Sequence, residues 1–314
     1  MRNLSNLSIH VAVLCVVACG GQSPEQQETL TNARIHPTTD AKAGTGLAGN
    51  ELKAAAVSNL TYHGGVGGIG IESAPKLYLV FYGSQWSSDP TGEAAILQSF
   101  YASVSGSSWL SSVNQYCQGV ASGTVNCGSS GTHASNIVNF AGTFHDTSVS
   151  APTKPTQAQL AAEAVRAASF FGNTTAASNV TAQYVIATPH GHNSSGFGTQ
   201  YCAYHSSTSS SFGNVAYTNL PYITDAGASC GSGFVNSPGT SDGVTIVGGH
   251  EMAETITDQF PNGGWLDSGG EENGDKCAWI SPPTAGFSRN VTMGGHTFPV
   301  QSLWSNSISG CSPQ

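Results

Sequence analysis

The stretch Gly248-Gly249-His250-Glu251-Met252-Ala253-Glu254-Thr255-Ile256-Thr257-Asp258 gathers the residue types that hold a metal ion and move a proton. A helix turns about 100° per residue, so positions four apart lie about 40° from each other around its axis. His250 and Glu254 therefore share a face, and Asp258 follows one turn on. Met252, Ala253 and Ile256 fall on the other side and predict a packing surface. This is the spacing of the HExxH zinc helix with Glu in place of the second His. Zinc accepts imidazole nitrogen and carboxylate oxygen, and a catalytic site usually keeps three protein ligands and one water. His250 and Glu254 then read as ligands, and Glu251 as the general base that takes a proton from that water.

A third ligand must come from elsewhere. The segment from Gly263 to Cys277 is acidic, and Glu272, placed 18 residues after Glu254, is the first candidate. Asp258, Glu271 and Asp275 are alternatives. His205, His190 and His192 are further ones, the last two directly after a predicted strand, where α/β proteins often place site loops. The chain has 18 acidic residues, and seven of them lie between Glu251 and Asp275, so the clustering adds weight that the short motif lacks. Two other readings stay open. The oxygen donors of residues 267–275 suit calcium. The acids equally read as a surface loop and a helix-dipole partner with no metal. Asn193-Ser194-Ser195-Gly196-Phe197-Gly198 is not a nucleophile elbow, and the cysteines of the mature chain are better spent on disulfides than on nucleophilic work.

The elements that must position these residues are legible in outline. Lys76-Leu77-Tyr78-Leu79-Val80-Phe81-Tyr82-Gly83 reads as a buried strand ended by glycine. A helix begins near Asp89–Glu93 and carries Ala95, Ile96, Phe100 and Val104, and Trp109 to Tyr116 suggests a second short one. Residues 118–150 are rich in Gly and Ser, with short β-like pieces such as Ile137–Phe140. Thr156 caps a helix that runs to about Phe171 and stops at Gly172. Ala182–Thr188 is a strand stopped by Pro189. Residues 190–242 read as a long irregular region, Val244 to about Asp258 as a helix, and 290–304 as short strands. The alternation predicts an α/β layered sandwich: a mixed, partly parallel sheet, a zincin-like active-site helix and disulfide-stabilised loops.

Composition narrows the setting. Of 314 residues only 9% are charged, against roughly a quarter in an average soluble protein. Nine basic residues against 18 acidic ones give a net charge of −9, which excludes a basic nucleic-acid footprint. Residues 1–19 read as a signal peptide: Arg2, then an apolar run too short to span a bilayer. Val16-Val17-Ala18-Cys19-Gly20 has the form of a lipoprotein cleavage site, with Cys19 as a lipid anchor. An ordinary signal cut near Ala18 is the alternative. Residues 20–57 read as a linker or pro-segment, and 58–314 as a single catalytic or binding domain. Two of the eight cysteines belong to the signal. The other six suit an exported chain, and proximity favours Cys117–Cys127, Cys202–Cys230 and Cys277–Cys311.

Three groups of short motifs, taken in order, resemble the Exordium (phosphate-induced) family. The opening has Tyr62-His63-Gly64-Gly65, then Leu77–Gly83, then Ile96–Phe100 and Trp109. The middle has the strand near 183–188 followed by a Cys and His205. The end has Asn262-Gly263-Gly264-Trp265, Cys277, Leu303-Trp304 and Cys311. The resemblance covers about residues 58–314. Tyr62, His63, Trp265, Cys277, Trp304 and Cys311 match as scaffold positions, while His250-Glu251-x-Ala253-Glu254 and Glu272-x-x-Asp275-x-Cys277 resemble the family's bacterial branch. It implies an exported extracellular protein, linked in plants to growth and cell-wall signalling, and brings no firm activity. The expectation is a secreted or lipid-anchored zinc metallohydrolase, a peptidase of the HExxE type acting on extracellular peptide or cell-wall material. The alternative is a non-enzymatic glycan- or protein-binding module with structural calcium or no metal, in which aromatic loop residues such as Tyr201, Tyr204, Tyr217, Tyr222 and Trp265 stack on sugars.

Overall fold

The apolar run Lys76–Tyr82 forms strand β1, which lies between two parallel neighbours. These are β2 (Asn139–Asp146) and β3 (Ala182–Ala187). Strands β4 (Ala203–Ser210) and β5 (Gly213–Leu220) form an antiparallel hairpin, and β5 joins β3 in parallel. The order is β4-β5-β3-β1-β2, with the two-residue strand Arg34–Ile35 added antiparallel at the free edge of β4. The computed structural model describes Arg34–Ile35 and residues 58–312. The expected signal peptide, and the expected linker apart from Arg34–Ile35, lie outside the described residues.

Side chains alternate across a strand, and β1 shows the consequence. Tyr78, Val80 and Tyr82 join one core with Leu160, Ala164 and Ala167 of helix α2 (Gln157–Phe170). Leu77, Leu79 and Phe81 join the other core. That second core contains Leu97 and Phe100 of α1 (Glu93–Ser103), Trp109, and Val244, Val247, Met252 and Ile256 of α3 (Asp242–Thr257). The expected layered α/β arrangement with a mixed sheet is therefore present. Thr156 opens α2 with a reciprocal cap, in which its side chain accepts from the Gln159 backbone and Gln159 answers its N–H.

Two expectations need correction. Residues 190–242 are not irregular throughout, because the β4–β5 hairpin lies within them. Its strands read AYHSSTSS and GNVAYTNL, so hydroxyl side chains mask the apolar alternation. Residues 118–150 end in the full strand β2, where Gly142 accompanies a register shift opposite Leu77 and Tyr78. That glycine leaves room for the Phe171 ring, which would stand 2.9 Å from an added Cβ.

All sixteen residues of α3 are buried. A helix buried on every side must answer its own polar groups. The Thr255 hydroxyl donates to the Glu251 carbonyl at 2.8 Å, and the Thr245 hydroxyl donates to the Pro299 carbonyl. Around α3 lie α1, the 3₁₀ segment Ile223–Cys230, and the hairpin of β6 (Arg289–Met293) and β7 (His296–Val300). The three disulfides Cys117–Cys127, Cys202–Cys230 and Cys277–Cys311 are formed. Two of them bracket the segments that meet α3: Cys202 directly precedes β4, and Cys277 ends the acidic loop.

Candidate metal centre

Residues 250 and 254 share one face of α3, as the helical spacing requires. His250 Nε2 lies 2.9 Å from Glu254 Oε1. The acidic loop then brings Asp275 Oδ1 to 3.5 Å from the same nitrogen. Its backbone helps hold this arrangement, since the Asp275 N–H donates to Glu254 Oε1 at 2.9 Å. Gly274 passes against the cluster so closely that an added Cβ would stand 2.8 Å from both Glu254 Oε1 and His250 Nδ1.

The other oxygen of Glu254 faces a second imidazole. His205 projects from β4, and its Nε2 lies 3.8 Å from Glu254 Oε2 and 2.8 Å from Glu272 Oε2. Two groups of possible ligands result: His250, Glu254 and Asp275, and His205, Glu254 and Glu272. Sequence spacing placed His250, Glu254 and Glu272 around one ion. In the structure Glu254 is common to both groups, and His250 and Glu272 lie in different ones. Asp258 enters neither. Its carboxylate instead accepts the backbone N–H groups of Asn262, Gly263 and Gly264 and shapes the turn after α3. His190 is also elsewhere, with Nδ1 2.5 Å from Asp225 Oδ1.

Within 267–275 the Asp267 carboxylate is occupied by the protein. Asp267 Oδ2 meets the buried Lys276 ammonium at 2.7 Å, and its Oδ1 accepts from Gly269 and Glu271. The Asn273 amide donates to the Ala253 carbonyl at 3.2 Å. The loop is thus wired to α3 and to itself.

No family model, curated protein or solved structure matches this chain.

Burial and neighbouring charge together shift the titration of these groups. Burial pushes His205 down to about 3, against the pull of Asp275, so that imidazole is neutral. Burial also opposes charge on His250, but Glu254, Asp275 and Glu251 outweigh it and raise His250 well above the usual range. Glu254 is pushed up to about 7 by burial and by Asp275. Glu272 rises well above the carboxylate range through burial and the charges of Glu254, Asp258 and Asp275. Crowded acids away from water resist ionising without a compensating cation.

The donor atoms fit a cation. Glu254 Oε2 and Glu272 Oε1 are buried and have no hydrogen-bond partner in the protein. Gln301 donates its amide N–H to the Gly274 carbonyl at 2.8 Å, which turns its Oε1 toward His250 Nδ1 at 3.1 Å. Only a protonated Nδ1 can donate to that oxygen, so when an ion displaces the other proton the Nε2 lone pair of His250 would face Glu254 and Asp275. Sequence reasoning missed Gln301, and nothing in its neighbourhood signals the role. Gly274 is one glycine among 39. Glu251, although buried, belongs to neither ligand group. It stands three residues after Gly248, which packs on the Tyr101 hydroxyl, and its charge adds to the burial that raises Tyr101.

Proposed function

We propose that this chain is an exported, metal-dependent hydrolase whose centre is formed by His250, Glu254 and Asp275. Its expected substrates are extracellular peptide or cell-wall material. The observation that carries the proposal is the meeting of these three groups, one of them partly exposed. The side chains of His250 and Glu254 are fully buried, while that of Asp275 is 15% exposed. A divalent cation held there supplies Lewis-acid chemistry, polarising a carbonyl and lowering the pKa of water. Imidazole nitrogen beside carboxylate oxygen suits zinc and speaks against calcium, which takes oxygen ligands. Gln301 keeps the His250 lone pair on the ligand side, and Gly274 leaves space for it. Glu251, next to His250, is the group to which we give the proton.

Export agrees with three disulfides, a hallmark of oxidising compartments. Among the described residues no helix is long and apolar enough to cross a membrane. Lipid anchoring at Cys19 and membership of the Exordium family's bacterial branch complete the proposal.

The deciding experiment replaces Glu251 by Gln in tag-free secreted protein and follows zinc content beside hydrolysis of cell-wall peptides. Zinc content should stay at the wild-type level while turnover falls at least about a hundredfold. Undiminished turnover in Glu251→Gln would remove Glu251 from the mechanism.

A binding module with a structural metal is the second reading, and one observation favours it. A cleft lined by Ser111, Ser112, Gln115, Ser305 and Ser307 offers hydroxyls suited to a glycan and includes none of the metal-centre residues. Zinc content without hydrolysis of any peptide, together with glycan binding lost on mutation of that cleft, would select this reading.

A further inference from the structure

We infer that His205, Glu254 and Glu272 form a second cation site, so that Glu254 bridges two ions, one on each carboxylate oxygen. This deepens the proposal above, resting on the same reading of Glu254 as a ligand. The two oxygens of Glu254 face different imidazoles: Oε1 is 2.9 Å from His250 and Oε2 is 3.8 Å from His205. Each imidazole has its own further carboxylate, Asp275 for His250 and Glu272 for His205. A single ion would use one oxygen of Glu254 well and leave the opposite imidazole and acid uncompensated.

Charge leads to the same count. Glu251, Glu254, Glu272 and Asp275 carry four negative charges when ionised, and an imidazole that ligates an ion is neutral and answers none of them. One divalent cation answers half of that, and two answer all of it. Unanswered charge in a low-dielectric interior is costly. Asp258, the remaining neighbour, is answered by three backbone N–H groups.

The two sites differ in access. At the second site the side chains of His205, Glu254 and Glu272 are at most 1% exposed, whereas Asp275 of the first is 15% exposed. The second ion is structural. It ties β4, α3 and the acidic loop together at one point, three residues along the chain from Cys202, whose disulfide to Cys230 fixes the start of β4. Closed sites hold structural ions, and sites with an open position do chemistry.

The test uses zinc alone as the probe. Tag-free full-length secreted protein is equilibrated with zinc, dialysed and assayed for metal per chain, with circular dichroism to confirm folding. Wild type should hold two ions. His205→Ala and Glu272→Gln should each hold one and should melt earlier than zinc-loaded wild type. His250→Ala should also hold one, and Glu254→Gln should lose most of both. One ion in wild type, kept in His205→Ala and lost in His250→Ala, overturns the second site and leaves the proposed hydrolase centre standing. One ion lost in both His variants also overturns it, since a single ion would then be shared. No bound zinc in wild type overturns both. Should His205→Ala misfold, Glu272→Gln decides alone, because its amide preserves shape while removing the charge.

Discussion

At the residue scale, the centre depends on groups that would touch no ion. Gln301 orients His250, and Gly274 makes space for it. Partners of this kind typically contribute about ten- to a hundredfold in metal affinity. Gln301→Leu should therefore weaken zinc binding by about that factor while the protein stays folded, as a competition titration with a chromogenic chelator would report. Unchanged affinity would mean that His250 is held without Gln301. Gly274→Ala tests space rather than orientation. Its backbone is compatible with alanine, but the methyl would meet Glu254 Oε1 and His250 Nδ1 at 2.8 Å. The same titration should show weaker binding, and a crystal structure of the variant should show the His250 ring displaced.

At the scale of elements, α3 is the part on which the rest depends, and its burial follows from small residues. Gly249 lets the helix approach α1, and an added Cβ would stand 2.9 Å from Trp109 Cη2 and 3.0 Å from Phe100 Cζ. Gly249→Ala should cost about 1–3 kcal/mol by overpacking, read from urea unfolding of the metal-free protein. A stabilised variant would show that the aromatic layer can yield. The helix itself was readable because the motif and its boundaries lie in one local stretch, and β1, α1, α2 and β3 were readable from continuous patterns of their own. His205 was harder to place. It sits on a strand whose neighbours are Ser and Thr, and its distance in sequence from Glu272 gives no hint of contact. Only the hairpin pairing and the packing of α3 against β4 bring them together. Asp258 was misleading for the opposite reason: local helical spacing puts it in line with Glu254, yet the chain turns just beyond it and claims its oxygens.

At the scale of the whole molecule, covalent links and buried charge set how the protein responds to its surroundings. Cys277–Cys311 ties the acidic loop to the C-terminal strands, and a closed loop of this size contributes about 2–4 kcal/mol. Replacing both cysteines by Ser should lower stability by that amount and weaken zinc binding as well, because Glu272 and Asp275 precede the tether. Calorimetry with and without zinc separates the two effects. Buried acids away from the metal centre give a pH dependence. On α2, burial raises Glu163 to about 7, and the pairing with Arg166, whose side chain is 42% exposed, does not offset it. The folded state thus binds that proton more tightly than the unfolded chain. The stabilisation is complete below the ordinary carboxylate range and is lost as pH rises through about 7. Glu163→Gln should flatten the fall in melting temperature between pH 5 and 7 relative to wild type, and an unchanged slope would place the titration elsewhere.

Whether the groups gathered around α3 hold a metal cation is read from anomalous diffraction of crystals grown with zinc, recorded on both sides of the zinc absorption edge. A strong difference peak is expected in coordination range of His250 Nε2, Glu254 Oε1 and Asp275. Clean density with no such peak, and carboxylates hydrogen-bonded to each other instead, would contradict the proposed metal centre.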